Sequence, residues 1–238
     1  MRRLYFGLAF NFELSTFHLS LLVVAPVICL ITDRHRLGAA WEPALIERVR
    51  VAARAGIHLI QLRERDLPGG LIARLTEHCV NAVRGTRTRV LVNDRLDVAL
   101  AAGAHGVHLR GDSMDAARVR RIVPAGFLIG RSVHSVEEAV AVSANGAVDY
   151  LIFGNVFETT SKPGREAAGL YELGAVSTAT PVPVLAIGGI SPSRAGAVAR
   201  AGASGIAAIG LFADGPVDAV HGIVGQITTA FDTPERVP

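Results

Sequence analysis

Gly188-Gly189 follows an apolar run, Val184–Ile187, and precedes Ser191-Pro192, while Gly210 closes a second run, Gly205–Ile209. Glycine lets bare backbone N–H groups approach a ligand, and Ser-Pro reads as an N-cap followed by proline at the first helical position. Two such turns side by side form an anion site from backbone amides, the chemistry of a phosphate cradle. A second group is Gln61-Leu62-Arg63-Glu64-Arg65. Period-two geometry puts Gln61, Arg63 and Arg65 on one side of a strand, where paired guanidiniums suit a phosphate, pyrophosphate or carboxylate. The alternative is a solvated rim with Glu64 and Asp66 pairing to the arginines. Asn93-Asp94 has the chemistry to hold Mg²⁺ or a hydroxyl, or to cap the next helix. Asp112, two residues after Arg110, is a further carboxylate.

Arg131-Ser132-Val133-His134 supplies a hydroxyl and an imidazole. His134 precedes Ser135, which with Glu138 makes a capping box, and a neutral histidine there suits general acid–base work near pH 7. His105 and His108 fall before the end of their apolar run and are read as structural. Thr159, Ser161 and Lys162 belong to a hydroxyl-rich stretch whose lysine is the only one in the sequence. A compact ammonium can bind a phosphate oxygen where a planar guanidinium does not fit. A Schiff-base role would need a buried lysine on a strand, and this one lies in a loop.

These residues need elements to position them. Short apolar runs recur at Val27–Ile31, Ile57–Leu62, Val90–Val92, Gly106–Leu109, Phe127–Ile129 and Tyr150–Phe153, ahead of the two already described. Helical periodicity separates them, over Leu45–Ala55, Leu71–Val83, Val98–Ala102, Met114–Ile122, Val136–Ala144 and from about Leu170. Such alternation means parallel strands with right-handed helical crossovers. Gly56, Gly103, Gly146 and Gly202 punctuate the units as helix C-cap glycines. Eight units in 238 residues suit a single (β/α)₈ barrel, an α/β fold whose chemistry lies at the C-terminal ends of its strands. The barrel is expected over residues 26–230, with a tail at 231–238.

Half the residues are hydrophobic and 5% aromatic, as a Val/Ile/Leu/Ala core of buried strands requires. The net charge of +3 comes without a basic run or an aromatic-interleaved stripe, so no nucleic-acid partner is expected. Cys29 and Cys79 lack metal-ligand spacing and read as buried thiols of a reducing, cytoplasmic compartment. Residues 1–25 carry two arginines and then an apolar stretch interrupted by Asn11, Glu13 and His18. That stretch is too broken to span a membrane, and the segment is read as an extension, either an unstructured or wrongly assigned start or an added strand or helix covering the bottom of the barrel, rather than a secretion signal.

QLRER (Gln61–Arg65), LVNDRLDVALAAGAHGVHL (Leu91–Leu109), IGRSVHSVEEAV (Ile129–Val140), DYLIFGNVFETTSKPGREAAGL (Asp149–Leu170) and AIGGI (Ala186–Ile190) together resemble the thiamine phosphate synthase/TenI superfamily. The resemblance runs from Val27 to Phe212 and implies an enzyme of thiamin biosynthesis acting on a thiazole phosphate, with a homodimer compatible with it. Its tautomerase branch characteristically carries Gly-Arg-Ser-Val-His-Ser and Phe-Gly-x-Val-Phe-Glu-Thr, both present here. That branch shifts a proton on a thiazole carboxylate phosphate without a metal, with His134 as acid/base and Ser132 beside it. This is the expected activity. The synthase branch instead joins hydroxymethylpyrimidine pyrophosphate to thiazole phosphate using Mg²⁺. The resemblance then maps Mg²⁺ to Asp94 and a carboxylate at the position of Ser113, leaving Asp112 one place early. A non-catalytic thiazole- or thiamin-phosphate-binding protein is the third reading.

Overall fold

The computed structural model describes residues 26–159, 164 and 166–232. Residues 1–25, Ser161 and Lys162 of the expected site, and residues 233–238 lie outside them. Eight parallel strands close into a barrel in sequence order, with β8 pairing back to β1. They are β1 (Val27–Ile31), β2 (Leu59–Leu62), β3 (Arg89–Asn93), β4 (Gly106–Leu109), β5 (Leu128–Val133), β6 (Tyr150–Gly154), β7 (Val184–Ile187) and β8 (Gly205–Ala208). Between them run α1 (Trp41–Arg54), α2 (Gly69–Ala82), α3 (Leu96–Ala101), α4 (Ala116–Arg120), α5 (Val136–Ser143), α6 (Gly169–Ala179) and α7 (Pro192–Arg200). A helical turn, α8 (Gly210–Ala213), and a final helix, α9 (Ala219–Asp232), follow β8. The expected (β/α)₈ architecture is therefore present.

Strand pleating explains why the runs are apolar throughout. Alternate residues such as Ile28, Leu30, Ile60, Val90, Val92 and Ile129 point outward and are buried beneath the helices. The intervening Val27, Cys29, Ile31, Leu59, Leu91, Leu128, Tyr150, Ile152, Leu185 and Ala207 form a second cluster inside the barrel. Both faces of every strand are thus out of water, the condition that favours β-branched and aliphatic residues over an alternating pattern. Burial also pushes the thiols of Cys29 and Cys79 up to about 12, so both are inert packing groups.

Local signals mostly act as their residue types require. Gly56 and Gly202 leave their helices at φ 91° and 86°, in the left-handed region that glycine enters without strain. Ser135 caps α5 by accepting from Glu138 N at 3.2 Å, while Glu138 Oε2 reaches one residue further back than a capping box requires and accepts from His134 N at 2.7 Å. Ser191 occupies the N-cap of α7, yet its hydroxyl bonds Ser193 Oγ at 2.9 Å and makes no cap. Proline at the first position leaves fewer amides for a cap to satisfy. Asp94 does not cap α3 either, whose N-cap residue is Arg95.

A side chain at Gly205 would collide with the backbone of Val27 on the neighbouring strand, which cannot move without opening the β1–β8 closure. Gly205→Ala is expected to lower stability by roughly 1–3 kcal/mol, whereas Ala at the exposed, uncrowded Gly215 should change it by less than about 0.5 kcal/mol. Urea denaturation midpoints of the two variants check this.

Candidate active site

Carried one or two residues beyond the core, the inward positions of the strands line a cavity of about 440 Å³ at the C-terminal end of the barrel. Gln61 comes from β2 and Arg63 and Arg65 from the residues after it, Asn93 from β3, His108 from β4 with Arg110 just beyond it, and Ser132 from β5 with His134 just beyond it. Ile31, Ile152, Ile187 and Ile209 supply apolar wall. The structure thus brings together the Gln-Arg-Arg face, Asn93, Ser132 and His134 that the strand ends suggested.

The pairing that the rim alternative assumed is not made, although Arg65 is exposed. Glu64 is buried and accepts from Thr32 Oγ1 at 2.6 Å and from Arg34 N at 3.1 Å. Asp66 pairs with Arg34 at 2.5 Å. Both acids therefore turn to Arg34, and among the described residues Arg63 and Arg65 have no side-chain hydrogen-bond partner. Burial, then the like charge of Arg65, pulls the Arg63 pKa down. An anion in the cavity would relieve both effects.

Gln61 and Asn93 are joined at the base of the cavity, Gln61 Nε2 donating to Asn93 Oδ1 at 2.9 Å. Gln61 Oε1 is buried and has no hydrogen-bond partner among the described residues. A buried carbonyl oxygen left without a donor is costly, so this wall calls for an N–H or O–H from a ligand.

His134 is fixed by its neighbours. Its Nδ1 lies 2.7 Å from the carbonyl oxygen of Gly154. A carbonyl only accepts, so Nδ1 carries a proton, and in the ring's neutral form the lone pair is left on Nε2. With the side chain on the cavity wall, that tautomer is the one a proton acceptor needs.

His108 corrects the expectation. It is fully enclosed on the inner face of β4, with Nε2 2.9 Å from Ser132 Oγ and Nδ1 3.1 Å from Tyr150 Oη. Desolvation above all, then the charges of Arg131 and Arg63, lowers its pKa to about 3. His108 is therefore a neutral relay between a buried phenol and the serine of the site. Its parity with Arg110 is the sequence signal for this place, and its position below the strand end is what makes it read as structural. His105, by contrast, is structural, its Nδ1 accepting from Val90 N at 3.0 Å.

A second cavity of about 220 Å³ adjoins the first across Ile187 and Ile209, which line both. Gly188, Gly189, Gly210 and Thr159 border it, as the phosphate cradle requires. The three glycine amides donate no hydrogen bond among the described residues. Gly188 and Gly189 have φ of 101° and 61°, and side chains there would strike Asn155 and, at Gly189, the Glu158 carbonyl oxygen and the Phe157 side chain. Arg194 pins the turn by donating to Gly189 O at 2.7 Å while lying over the Phe157 ring. Arg36, held by Asp214 at 2.5 Å and Asp33 at 3.1 Å, also borders this cavity and was not expected.

The donor set tested against Mg²⁺ is Asp94, Asp112 and Ser113. Asp94, at φ 64°, accepts a hydrogen bond from Ser113 Oγ. Asp112 has a largely exposed carboxylate that pairs with Arg110 Nη2 at 2.7 Å, and Arg110 Nη1 stands 3.8 Å from Asp94. A guanidinium thus lies between the two carboxylates, and a hydroxyl occupies an oxygen of one of them. Octahedral Mg²⁺ demands several free oxygen ligands, and these residues do not fit it. Among the described residues no cluster of three or more His, Cys, Asp or Glu side chains could hold a metal.

Residues 28–212 match the family described as thiamine monophosphate synthase, TMP-TENI. A thiamine-phosphate synthase of Roseiflexus castenholzii is 41% identical over 184 residues, covering 77% of this chain and 79% of its own. One from Chlorobium luteolum is 35% identical over 208 residues, 86% of this chain and 94% of its own. The solved thiamine phosphate pyrophosphorylase of Pyrococcus furiosus superposes with a TM-score of 0.74 at 31% identity, covering 88% of this chain and 96% of that one. The chain belongs to the thiamine phosphate synthase/TenI superfamily and is an enzyme of thiamin biosynthesis. Among the described residues no helix is long and apolar enough to cross a membrane.

Enclosure of a neutral His108 ties stability to pH. Below its ordinary value of about 6.5 the unfolded chain binds a proton that the folded state refuses until about pH 3, so stability falls as pH falls through that window. The His108 contribution should be about 2 kcal/mol between about pH 7 and about pH 5. His58 and His105 shift in the same direction, so the check is the smaller pH slope of urea unfolding in His108→Gln than in wild type. Gly130→Ala tests the relay differently, because a side chain there would overlap the Tyr150 ring. Activity should fall at least about tenfold with the barrel intact by circular dichroism, since a displaced Tyr150 no longer orients His108.

Proposed function

We propose that the protein is a thiamine phosphate synthase, joining hydroxymethylpyrimidine pyrophosphate to a thiazole phosphate. The observation that carries this reading is the buried Oε1 of Gln61 beside Asn93, next to the guanidiniums of Arg63 and Arg65, none of which has a hydrogen-bond partner among the described residues. An aminopyrimidine supplies the missing N–H donor, and its pyrophosphate matches the arginines. A thiazole carboxylate phosphate has two anionic groups but no exocyclic amine for Gln61. The names of the relatives point the same way, so the synthase displaces the tautomerase that the sequence placed first.

In this reading Gly188, Gly189 and Gly210 hold the thiazole phosphate by their amides, and the two rings meet over Ile187 and Ile209. The C–O bond between the pyrimidine methylene and pyrophosphate breaks, with the bonding pair leaving on the pyrophosphate. The thiazole nitrogen supplies its lone pair to the same carbon, forming the C–N bond. The arginines neutralise the charge developing on the leaving group, and the shared apolar wall keeps water from intercepting the carbon. Ser132, oriented by His108, lies where it can hydrogen-bond the pyrimidine edge. Lys162, in the hydroxyl-rich stretch with Ser161, is assigned to a phosphate oxygen on the chemistry of the sequence alone.

A tautomerase is the second reading, favoured by the lone pair that His134 Nε2 turns to the cavity and by the poor donor set for Mg²⁺. Incubation with both synthase substrates should yield thiamine phosphate and pyrophosphate in equal amounts. Gln61→Leu should lower kcat/KM for the pyrimidine substrate by roughly ten- to a hundredfold and leave the thiazole KM unchanged. Turnover of the thiazole carboxylate tautomer alone, lost in His134→Gln, would replace this reading with the tautomerase. Thiazole phosphate binding without either reaction would leave only the binding protein.

A further inference from the structure

Arg110 has no assigned role, yet it occupies the centre of the acidic corner of the site. Its Nη2 donates to Asp112 at 2.7 Å and its Nη1 stands 3.8 Å from Asp94. Asp94 is further engaged by the Ser113 hydroxyl, which in turn accepts from Arg110 N at 2.8 Å. Two carboxylates therefore face a guanidinium that also lines the cavity holding Arg63 and Arg65. A divalent cation in such a corner would bridge acid side chains to a diphosphate. Here the bridging position is already filled by a covalently attached cation.

We infer that Arg110 takes the place of the divalent cation and that this protein binds the diphosphate of its substrate through Arg63, Arg65 and Arg110 without a metal ion. The inference rests on the synthase reading for the identity of the diphosphate. Asp94 and Asp112 act as positioning residues that aim Arg110 into the cavity, and Ser113 keeps Asp94 turned towards it. Arg110 has five N–H donors and commits one, through Nη2, to Asp112, so the others remain for phosphate oxygens. Crowding supports the same picture, since Arg63 carries its charge against both Arg65 and Arg110. Three like charges around one cavity repel one another until a polyanion enters.

The test is calorimetric titration of the full-length protein with inorganic pyrophosphate, in EDTA and in Mg²⁺. Wild type should bind with affinities in the two buffers that agree within about threefold, and Arg110→Ala should lose roughly ten- to a hundredfold of the metal-free affinity. Arg110→Lys should recover only part of it, because an ammonium cannot reproduce the planar fork. The double variant Arg110→Ala with Ser113→Asp should regain affinity in Mg²⁺ alone and bind Mn²⁺ with pyrophosphate by electron paramagnetic resonance. Wild-type binding that vanishes in EDTA, or an Arg110→Ala protein that binds like wild type there, would overturn the inference. Metal-free pyrophosphate binding by a wild-type protein that forms no thiamine phosphate supports the arginine site and counts against the synthase reading alone.

Discussion

The constraint on which this molecule depends is the two-residue repeat of its strands inside a closed barrel. A position that faces inward low on a strand is packed against its counterparts, as Leu59, Leu91, Leu128 and Tyr150 are. The same parity higher up delivers Gln61, Asn93, His108 and Ser132 to the floor of a cavity. Core and site are consecutive layers of one stack, and a slip of one residue would turn both outward at once. The register pairs Asn93 with His108, His108 with Gly130 and Gly130 with Tyr150. Those pairings put a phenol, an imidazole and a hydroxyl into one line.

Gly130 is what makes that line feasible. The Tyr150 ring occupies the space a side chain would need there, so a bulky aromatic reaches across the barrel to His108. The imidazole, denied water, stays neutral and can pass orientation but no charge to Ser132. His134, at the end of the same strand, is held by a backbone carbonyl in the tautomer that leaves a lone pair on the cavity. One strand therefore presents two polar groups with different competences, one a fixed hydrogen-bond partner and the other able to move a proton.

Much of this was legible in the residues. Apolar runs gave the strands to within a few positions, and glycine pairs after the last two runs located the adjoining cavity. Gln61, Arg63 and Arg65 share a face because period two places them there. His108 reads as structural because a histidine inside an apolar run looks like packing until the neighbouring strands are laid beside it. Arg36 was equally hidden, since its two acidic partners are three and 178 residues away in the chain. The failed caps at Asp94 and Ser191 share one cause: a tertiary or neighbouring hydroxyl competes for the side chain that local pattern assigns to an amide.

The arginine corner shows why residue types alone did not decide between two activities of one fold. Set against the family resemblance, Arg110-Gly111-Asp112-Ser113 lacks the carboxylate expected at Ser113, which argues for metal-free proton transfer. Read in space, the missing negative charge and the added positive charge are complementary changes around a single point. Replacing a carboxylate by a hydroxyl removes demand for a cation, and placing a guanidinium between the remaining acids supplies one. On the proposed reading, the charge facing a diphosphate keeps its sign and changes in kind, with directional donors in place of a spherical ion. Loss of one carboxylate is accordingly a weak argument against diphosphate chemistry. The partnerless amide oxygen of Gln61 bears on substrate more directly, because no rearrangement of charge at the rim can supply the hydrogen it lacks.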